Sequence, residues 1–266
     1  MNHCVVVTLD SLRWDVANEA LSSMSALQGL GILERRHTYA TWTLPSHMNL
    51  AAGLLPHDDD GQLAANVYAE LWDDWRERLD LPEDALRDVA PEYSMPRRLG
   101  RLGYRCAALV AMPCLRAGSP FHRLGWHLFR SSETTLMEQA RFVTGALEGF
   151  ARGAPTFWLL NAGDTHYPYG RDGLPVLHGA GGAAREGNRA PPLTGAQMRD
   201  LWAAQVEACI GADAAVAELM GKLPSGTRLI ITADHGELFG EEGRFGHGPF
   251  THKKLLEVPY IEGVVL

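Results

Sequence analysis

Four short apolar runs constrain this chain more than any other feature, because each ends in a polar cluster or a turn residue. Cys4 to Leu9 stops at Asp10 and Cys106 to Met112 stops at Pro113. Thr156 to Leu160 leads into Asn161-Ala-Gly-Asp164, and Arg228 to Thr232 leads into Ala233-Asp234-His235. None alternates apolar with polar residues, so each suits a strand buried on both faces, as in a parallel sheet. Helical stretches lie between them. Ser94 to Leu102 opens on an N-cap serine and ends at Gly103, while Glu133 to Phe150 and Met198 to Leu223 carry apolar residues at three- and four-residue spacing. The alternation predicts a three-layer α/β/α domain around a largely parallel central sheet. Two stretches interrupt it. His57 to Leu81 is acidic and contains Trp72 and Trp75, and Arg171 to Gly195 is rich in Gly, Ala and Pro, as expected of a mobile surface loop. Neither reads as a domain boundary, so residues 1–266 are expected to form one domain.

The balance of residue types narrows the function. With 46% hydrophobic and 21% charged residues over 266 positions, the chain can bury a sizeable core. That excludes a disordered tail, a collagen-like repeat and a small disulfide scaffold. A net charge of -8 gives no general basic surface, so nucleic acid is not expected as a partner. The four cysteines are scattered, and Cys4 and Cys106 sit in apolar runs, as reduced buried thiols do. The N-terminus enters a strand with no basic leader-like region, and no apolar stretch approaches the ~18 residues of a membrane span. The expectation is a cytoplasmic protein with no membrane span.

The ends of the runs carry the chemistry. Asp10, Asp164 and Asp234 follow apolar strands, and open α/β sheets bind ligands at the carboxyl ends of their strands. Three acids at one edge repel each other unless a cation lies between them. His166, His235 and His247 accompany them, and imidazole with carboxylate is a ligand set for zinc or manganese. Thr43 precedes Pro45, which fits the first turn of a helix. Thr43 is then either a plain N-cap or part of an anion site at a helix N-terminus, suited to phosphate or sulfate.

Taken in order, Val6-Val-Thr-Leu-Asp10-Ser-Leu-Arg13-Trp-Asp15, Trp42-Thr43-Leu-Pro-Ser-His47 with Ala52-Gly53-Leu-Leu-Pro56, Asp164-Thr-His166-Tyr-Pro-Tyr169 and Ala233-Asp234-His235-Gly236-Glu237 with Gly246-His247-Gly248 resemble the alkaline phosphatase/sulfatase superfamily. The resemblance extends over nearly the whole chain and implies an alkaline-phosphatase-like core. It places Asp10, Asp234 and His235 with the nucleophile Thr43 around a main metal, and Asp164, His166 and His247 in a second-metal or substrate-side group. Thr43 stands where sulfatases of the superfamily carry the cysteine that becomes formylglycine, which disfavours ordinary sulfatase chemistry. Phosphodiesterases and phosphoethanolamine transferases of the superfamily use threonine there.

The implied activity is metal-dependent hydrolysis or transfer of a small phosphate ester, with one or two divalent ions, zinc or manganese. Thr43 attacks phosphorus to give a phosphothreonine, and His166 or His247 serves the leaving oxygen. Arg13, Lys253 and Lys254 are candidate oxyanion clamps, with a solvated or structural role favoured for each. Two alternatives stand beside this reading: hydrolysis of a phosphonate or sulfate, and a non-catalytic metal-binding relative that supports a partner protein. Superfamily members usually continue into a C-terminal subdomain after the Val258-Pro259 strand. Its expected absence leaves a homo-oligomer, a partner chain or the acidic Trp-containing stretch to close the site.

Overall fold

The central strand β1 (Cys4–Leu9) has an apolar environment on each face, as its unbroken apolar run predicts. Val5, Val7 and Leu9 enter one core cluster and Val6 the other. In the computed structural model, residues 3–53, 94–131, 135–175, 193–248 and 250–266 are described. The seven-stranded sheet adds β2 (Glu34–His37), β3 (Arg105–Val110), β4 (Leu128–Ser131), β5 (Thr156–Ala162), β6 (Arg228–Thr232) and β9 (Glu257–Val264), in the order β2-β9-β6-β1-β5-β3-β4. From β6 to β4 every pairing is parallel, whereas β9 runs antiparallel to β6 and β2 antiparallel to β9. A separate hairpin, β7 (Leu238–Phe239) with β8 (Phe245–Gly246), follows β6.

Helices cover both faces and complete three layers. On one side lie α1 (Trp14–Ala20), α2 (Ser25–Leu30), α5 (Leu136–Ala151) and α6 (Gly195–Lys222), around a core that includes Trp158, Leu160 and Val216. On the other, α3 (Thr43–Ala52) and α4 (Met95–Arg101) pack with Phe121, Leu124 and Leu159. A short helix α7 (Lys253–Leu256) precedes β9. Among the described residues no helix is long and apolar enough to cross a membrane.

Local chemistry sets the helix ends. Ser94 caps α4 as predicted, its side chain accepting from the Arg97 amide. The two long helices start at Leu136 and Gly195, where Thr135 with Glu138 and Thr194 with Gln197 form capping boxes. Those boxes shift the starts from the predicted Glu133 and Met198. Most of the Gly/Ala/Pro-rich stretch expected to be a loop, and all of the acidic Trp-containing stretch, lie outside the described residues.

One cap is tertiary. Met24 offers α2 no side-chain acceptor, and Asp213 of α6 supplies one, accepting from the amides of Ala26 at 3.1 Å and Leu27 at 2.9 Å. Asp213→Ala is therefore expected to cost about 1–2 kcal/mol, read as an earlier midpoint in urea unfolding. An unchanged midpoint would show that α2 needs no cap.

Candidate metal centre and nucleophile

Asp10 directly follows β1 and Asp234 follows β6, and β1 and β6 are parallel neighbours, so the topology sets the two acids side by side. Ser11 holds both. Its backbone adopts φ 62°, a left-handed conformation that non-glycine residues rarely take without a local reason. In that conformation its amide donates to Asp234 Oδ1 at 3.1 Å, and its hydroxyl donates to Asp10 Oδ1 at 3.1 Å. The His235 amide donates to the same Asp234 oxygen at 3.0 Å. Asp10 Oδ2 accepts from Asn161 Nδ2 at 3.1 Å.

His235 points at this pair with its tautomer fixed. Its Nδ1 lies 2.8 Å from the Gly236 carbonyl and donates to it, so Nε2 presents its lone pair to the acids. That nitrogen is 3.5 Å from Asp234 Oδ2 and 3.8 Å from Asp10 Oδ1. Ligand atoms of Asp10, Asp234 and His235 all lie within 4.8 Å of one another, and all three residues are buried.

Thr43 completes the group. Its hydroxyl donates to Asp10 Oδ2 at 3.3 Å and lies 3.2 Å from His235 Nε2. Thr43 is the first residue of α3 and Trp42 is the N-cap, which makes no side-chain cap bond. The hydroxyl is thus turned to the acids instead of being spent on a cap. Behind it, His47 Nδ1 approaches the Thr43 carbonyl at 2.8 Å, and Ser46 Oγ donates to the Asp234 carbonyl at 2.6 Å. Ser46 therefore ties the first turn of α3 to the loop after β6, and His47 Nε2, 3.0 Å from Thr8 Oγ1, ties it to β1.

The electrostatics fit a cation. Asp234 Oδ2 is buried with no hydrogen-bond partner among the described residues, which is costly unless something positive sits on it. Burial, and then Asp10, push the Asp234 carboxyl well above the ordinary range. Burial also raises Asp10, but His166, His235 and His247 outweigh it and hold that carboxyl below its usual value. Burial, and then His247, push His235 down to about 3, so it is a neutral ligand at neutral pH. Two carboxylates and a neutral imidazole around an orphaned oxygen are the donor set of a divalent cation.

His247 and His166 flank this centre. The His235 and His247 rings are 4.3 Å apart, and the His166 ring is 5.5 Å from His247. Glu237, fully buried, holds His247 Nδ1 at 2.9 Å. Burial disfavours a charge on His247, but the Glu237 carboxylate outweighs it and raises the pKa. Sequence reasoning gave Glu237, Asn161, Ser11 and His47 no role of their own. Only the burial of Glu237 beside a histidine ten residues away reveals its part.

Asp164 lies apart from this group. Its Oδ2 accepts from the Leu136 amide at 2.9 Å at the start of α5, and it is not among the clustered ligands. The cause is local: two residues past β5 the chain has already turned toward the helix layer. Asp164→Ala is expected to cost about 1 kcal/mol while leaving bound metal unchanged. Loss of metal in that variant would return Asp164 to the site.

Arg13 and Lys254 are structural, as favoured. Arg13 pairs with Asp15 at 2.7 Å and Glu241 at 2.5 Å, donates to the Glu237 carbonyl at 3.1 Å, and lies over Trp202 and Phe239. Lys254 pairs with Asp15 at 2.6 Å. Burial raises the Asp15 carboxyl, but Arg13 and Lys254 outweigh it and bring it down to about 2.

No family model and no curated protein matches the sequence. Solved structures do. The zinc complex of the C-terminal periplasmic domain of EptC from Escherichia coli superposes with a TM-score of 0.64 at 14% identity, over 99% of this chain and 73% of that one. The C-terminal periplasmic domain of the phosphoethanolamine transferase EptC from Campylobacter jejuni gives 0.60 at 13%, over 99% and 79%. A Vibrio parahaemolyticus protein of the alkaline phosphatase superfamily gives 0.60 at 13%, over 98% of this chain and only 59% of that one.

These likenesses correct the expected cytoplasmic setting, because two of them are periplasmic domains and point outside the cytoplasm. That expectation rested on scattered cysteines and on an N-terminus without a basic leader-like region, and neither reports the compartment. Cys106 and Cys209 are buried, and burial pushes both thiols up to about 12, so they are inert in either setting. At these identities the comparisons establish architecture, and the chain has the fold of the alkaline phosphatase/sulfatase superfamily.

Proposed function

We propose that the chain is a metal-dependent phosphoester hydrolase or phosphotransferase with Thr43 as nucleophile. The observation that carries this reading is the Thr43 hydroxyl, which sits on the first turn of α3 against both Asp10 and His235. Asp10, Asp234, His235 and the Thr43 oxygen would hold a divalent ion, which when bound supplies Lewis acidity to the phosphoryl oxygens and the hydroxyl.

The chain's own groups do the rest. The uncapped N-terminus of α3 directs backbone amides toward a phosphate. Thr43 Oγ attacks phosphorus in line, forming a Thr–O–P bond as the bond to the leaving alkoxide breaks. Its proton passes to Asp10 Oδ2, which already accepts from it. His247, kept prone to protonation by Glu237, delivers a proton to the leaving oxygen, with His166 behind it. Water, or an acceptor alcohol in a transferase, then attacks the phosphothreonine and releases Thr43.

The test is elemental analysis of purified protein alongside turnover of p-nitrophenyl phosphate and bis-p-nitrophenyl phosphate. Zinc or manganese held together with turnover supports the reading, and the preferred ester ranks monoester against diester. Bound metal without turnover of either ester leaves the non-catalytic relative.

A further inference from the structure

Charge is distributed unevenly along this acidic chain. Residues 94–131 contain seven arginines and no acidic residue, whereas the chain as a whole carries -8. The segment builds α4, β3, β4 and the turns between them, at one edge of the sheet. Arg97, Arg98, Arg101 and Arg116 are exposed, and among the described residues none has a carboxylate within ion-pair distance. A run of exposed arginines with no acidic residue between them gives this edge a local positive charge that the chain's net charge of -8 hides.

The arginines also border a built groove. Between α4 and the Gly125–His127 turn lies a groove of about 660 Å³ lined by Arg97, Gly100, Arg101, Gly125, Trp126 and His127. Two glycines make it. Gly125, at φ 95°, lets the Arg97 stem lie so close that a Cβ there would collide with it. Gly100 leaves the room that the His127 ring takes against α4. His127 is fixed as a donor: its Nδ1 accepts from the Cys106 amide at 3.0 Å, so a neutral ring carries its proton on Nε2. Trp126 is fixed as well, donating to the Phe121 carbonyl at 3.0 Å and stacking on Phe157.

Guanidinium forks and an imidazole N–H within one concavity match phosphate groups better than they match isolated carboxylates. A concave groove also admits a chain, whereas a flat bilayer would meet only its rim. We propose that this groove is a docking site for an extended phosphate-bearing polyanion, gripped by Arg97, Arg101 and His127. The proposal stands on the groove and its charge and is independent of the chemistry proposed for Thr43.

Inorganic polyphosphate is the probe, titrated calorimetrically into the whole protein at several salt concentrations. The expected result is binding that weakens linearly in log–log form with salt, with a slope of about -0.7 per phosphate contact. Arg97→Ala/Arg101→Ala should weaken binding at least ~10-fold and make the slope shallower by about 1.4, while Thr43→Ala and Arg36→Ala leave it unchanged. Arg101→Ala alone, an exposed position, keeps the test open should the double variant lose its fold. No binding at low salt, or equal binding by the arginine variants, would overturn the proposal. So would binding to phosphatidylglycerol vesicles without binding to polyphosphate. A drop in melting temperature in the variants without lost binding would mean that acidic residues of this chain cover the face, and would overturn it too.

Discussion

Thr43→Ala should retain bound metal and lose turnover of an aryl phosphate by at least about 10³-fold. The two effects separate because the Thr43 oxygen would be only one of the four proposed ligand atoms. Asp10, Asp234 and His235 keep their own supports from Ser11, Asn161 and the Gly236 carbonyl. Removing a hydroxyl from the first turn of α3 leaves the helix anchored through Ser46 to the Asp234 carbonyl and through His47 to Thr8, so the fold should persist. Thr43→Ser restores an oxygen at the same place and should recover most of the activity. Rates of each variant with both p-nitrophenyl esters, beside metal content by elemental analysis, decide the matter. Turnover by Thr43→Ala close to the parent rate would remove the nucleophile assignment and point to direct attack by water.

Asp234→Asn should do the opposite. It should abolish tight metal binding yet leave the metal-free protein as stable as the parent, or up to about 1–3 kcal/mol more stable. Two carboxylates share one buried pocket, and burial with Asp10 already drives Asp234 toward its protonated form. Asparagine reproduces that neutral form. Its carbonyl can still accept from the Ser11 and His235 amides, and the repulsion from Asp10 disappears. The parent should in turn gain about 2.7 kcal/mol when zinc is supplied at a hundredfold excess over its dissociation constant. In a chain of this size that is a rise of roughly 5–10 °C in melting temperature. The variant should show no such rise. A metal-induced rise in Asp234→Asn equal to the parent's would place the ion elsewhere.

Acid should separate the metal-free from the metal-loaded state. His235 has its folded pKa depressed to about 3, against an ordinary histidine value in the unfolded chain. Above the unfolded value neither state binds that proton and the group is neutral in its effect. As pH falls below it, the unfolded chain takes the proton first, so the metal-free protein loses stability progressively down toward pH 3. Thermal melts across that range, with His235→Gln as the control, would show a shallower acid limb in the variant.

Much of this molecule was legible in one dimension. The unbroken apolar runs around Val5, Trp158 and Ile231 specify strands buried on both faces, because only a covered parallel sheet leaves no polar face to alternate. Asp10 and Asp234 could be placed at one sheet edge because parallel strands bring their carboxyl ends together. Thr43 was recognisable through Pro45, which marks a first helical turn. What the runs could not convey is direction over a few ångströms. Asp164 follows a strand just as Asp10 does, yet it caps α5, because a side chain two residues past β5 answers to the turn it sits in.

The rest belonged to tertiary structure alone. Glu237 reads as one more acid after Gly236 until the β7–β8 hairpin folds back and sets His247 against it. Ser11 reads as a loop serine until a positive φ turns both of its donors onto two acids from different strands. Asp213 reads as a helix-face charge until α6 lays it on the bare end of α2. The sequence by itself determined the layers, the sheet edge and which acids stand at it, because hydrophobic period and strand polarity are local properties. Tertiary structure decided which acids face one another and which histidine is aimed by which carboxylate, because such pairings depend on contacts between residues far apart along the chain.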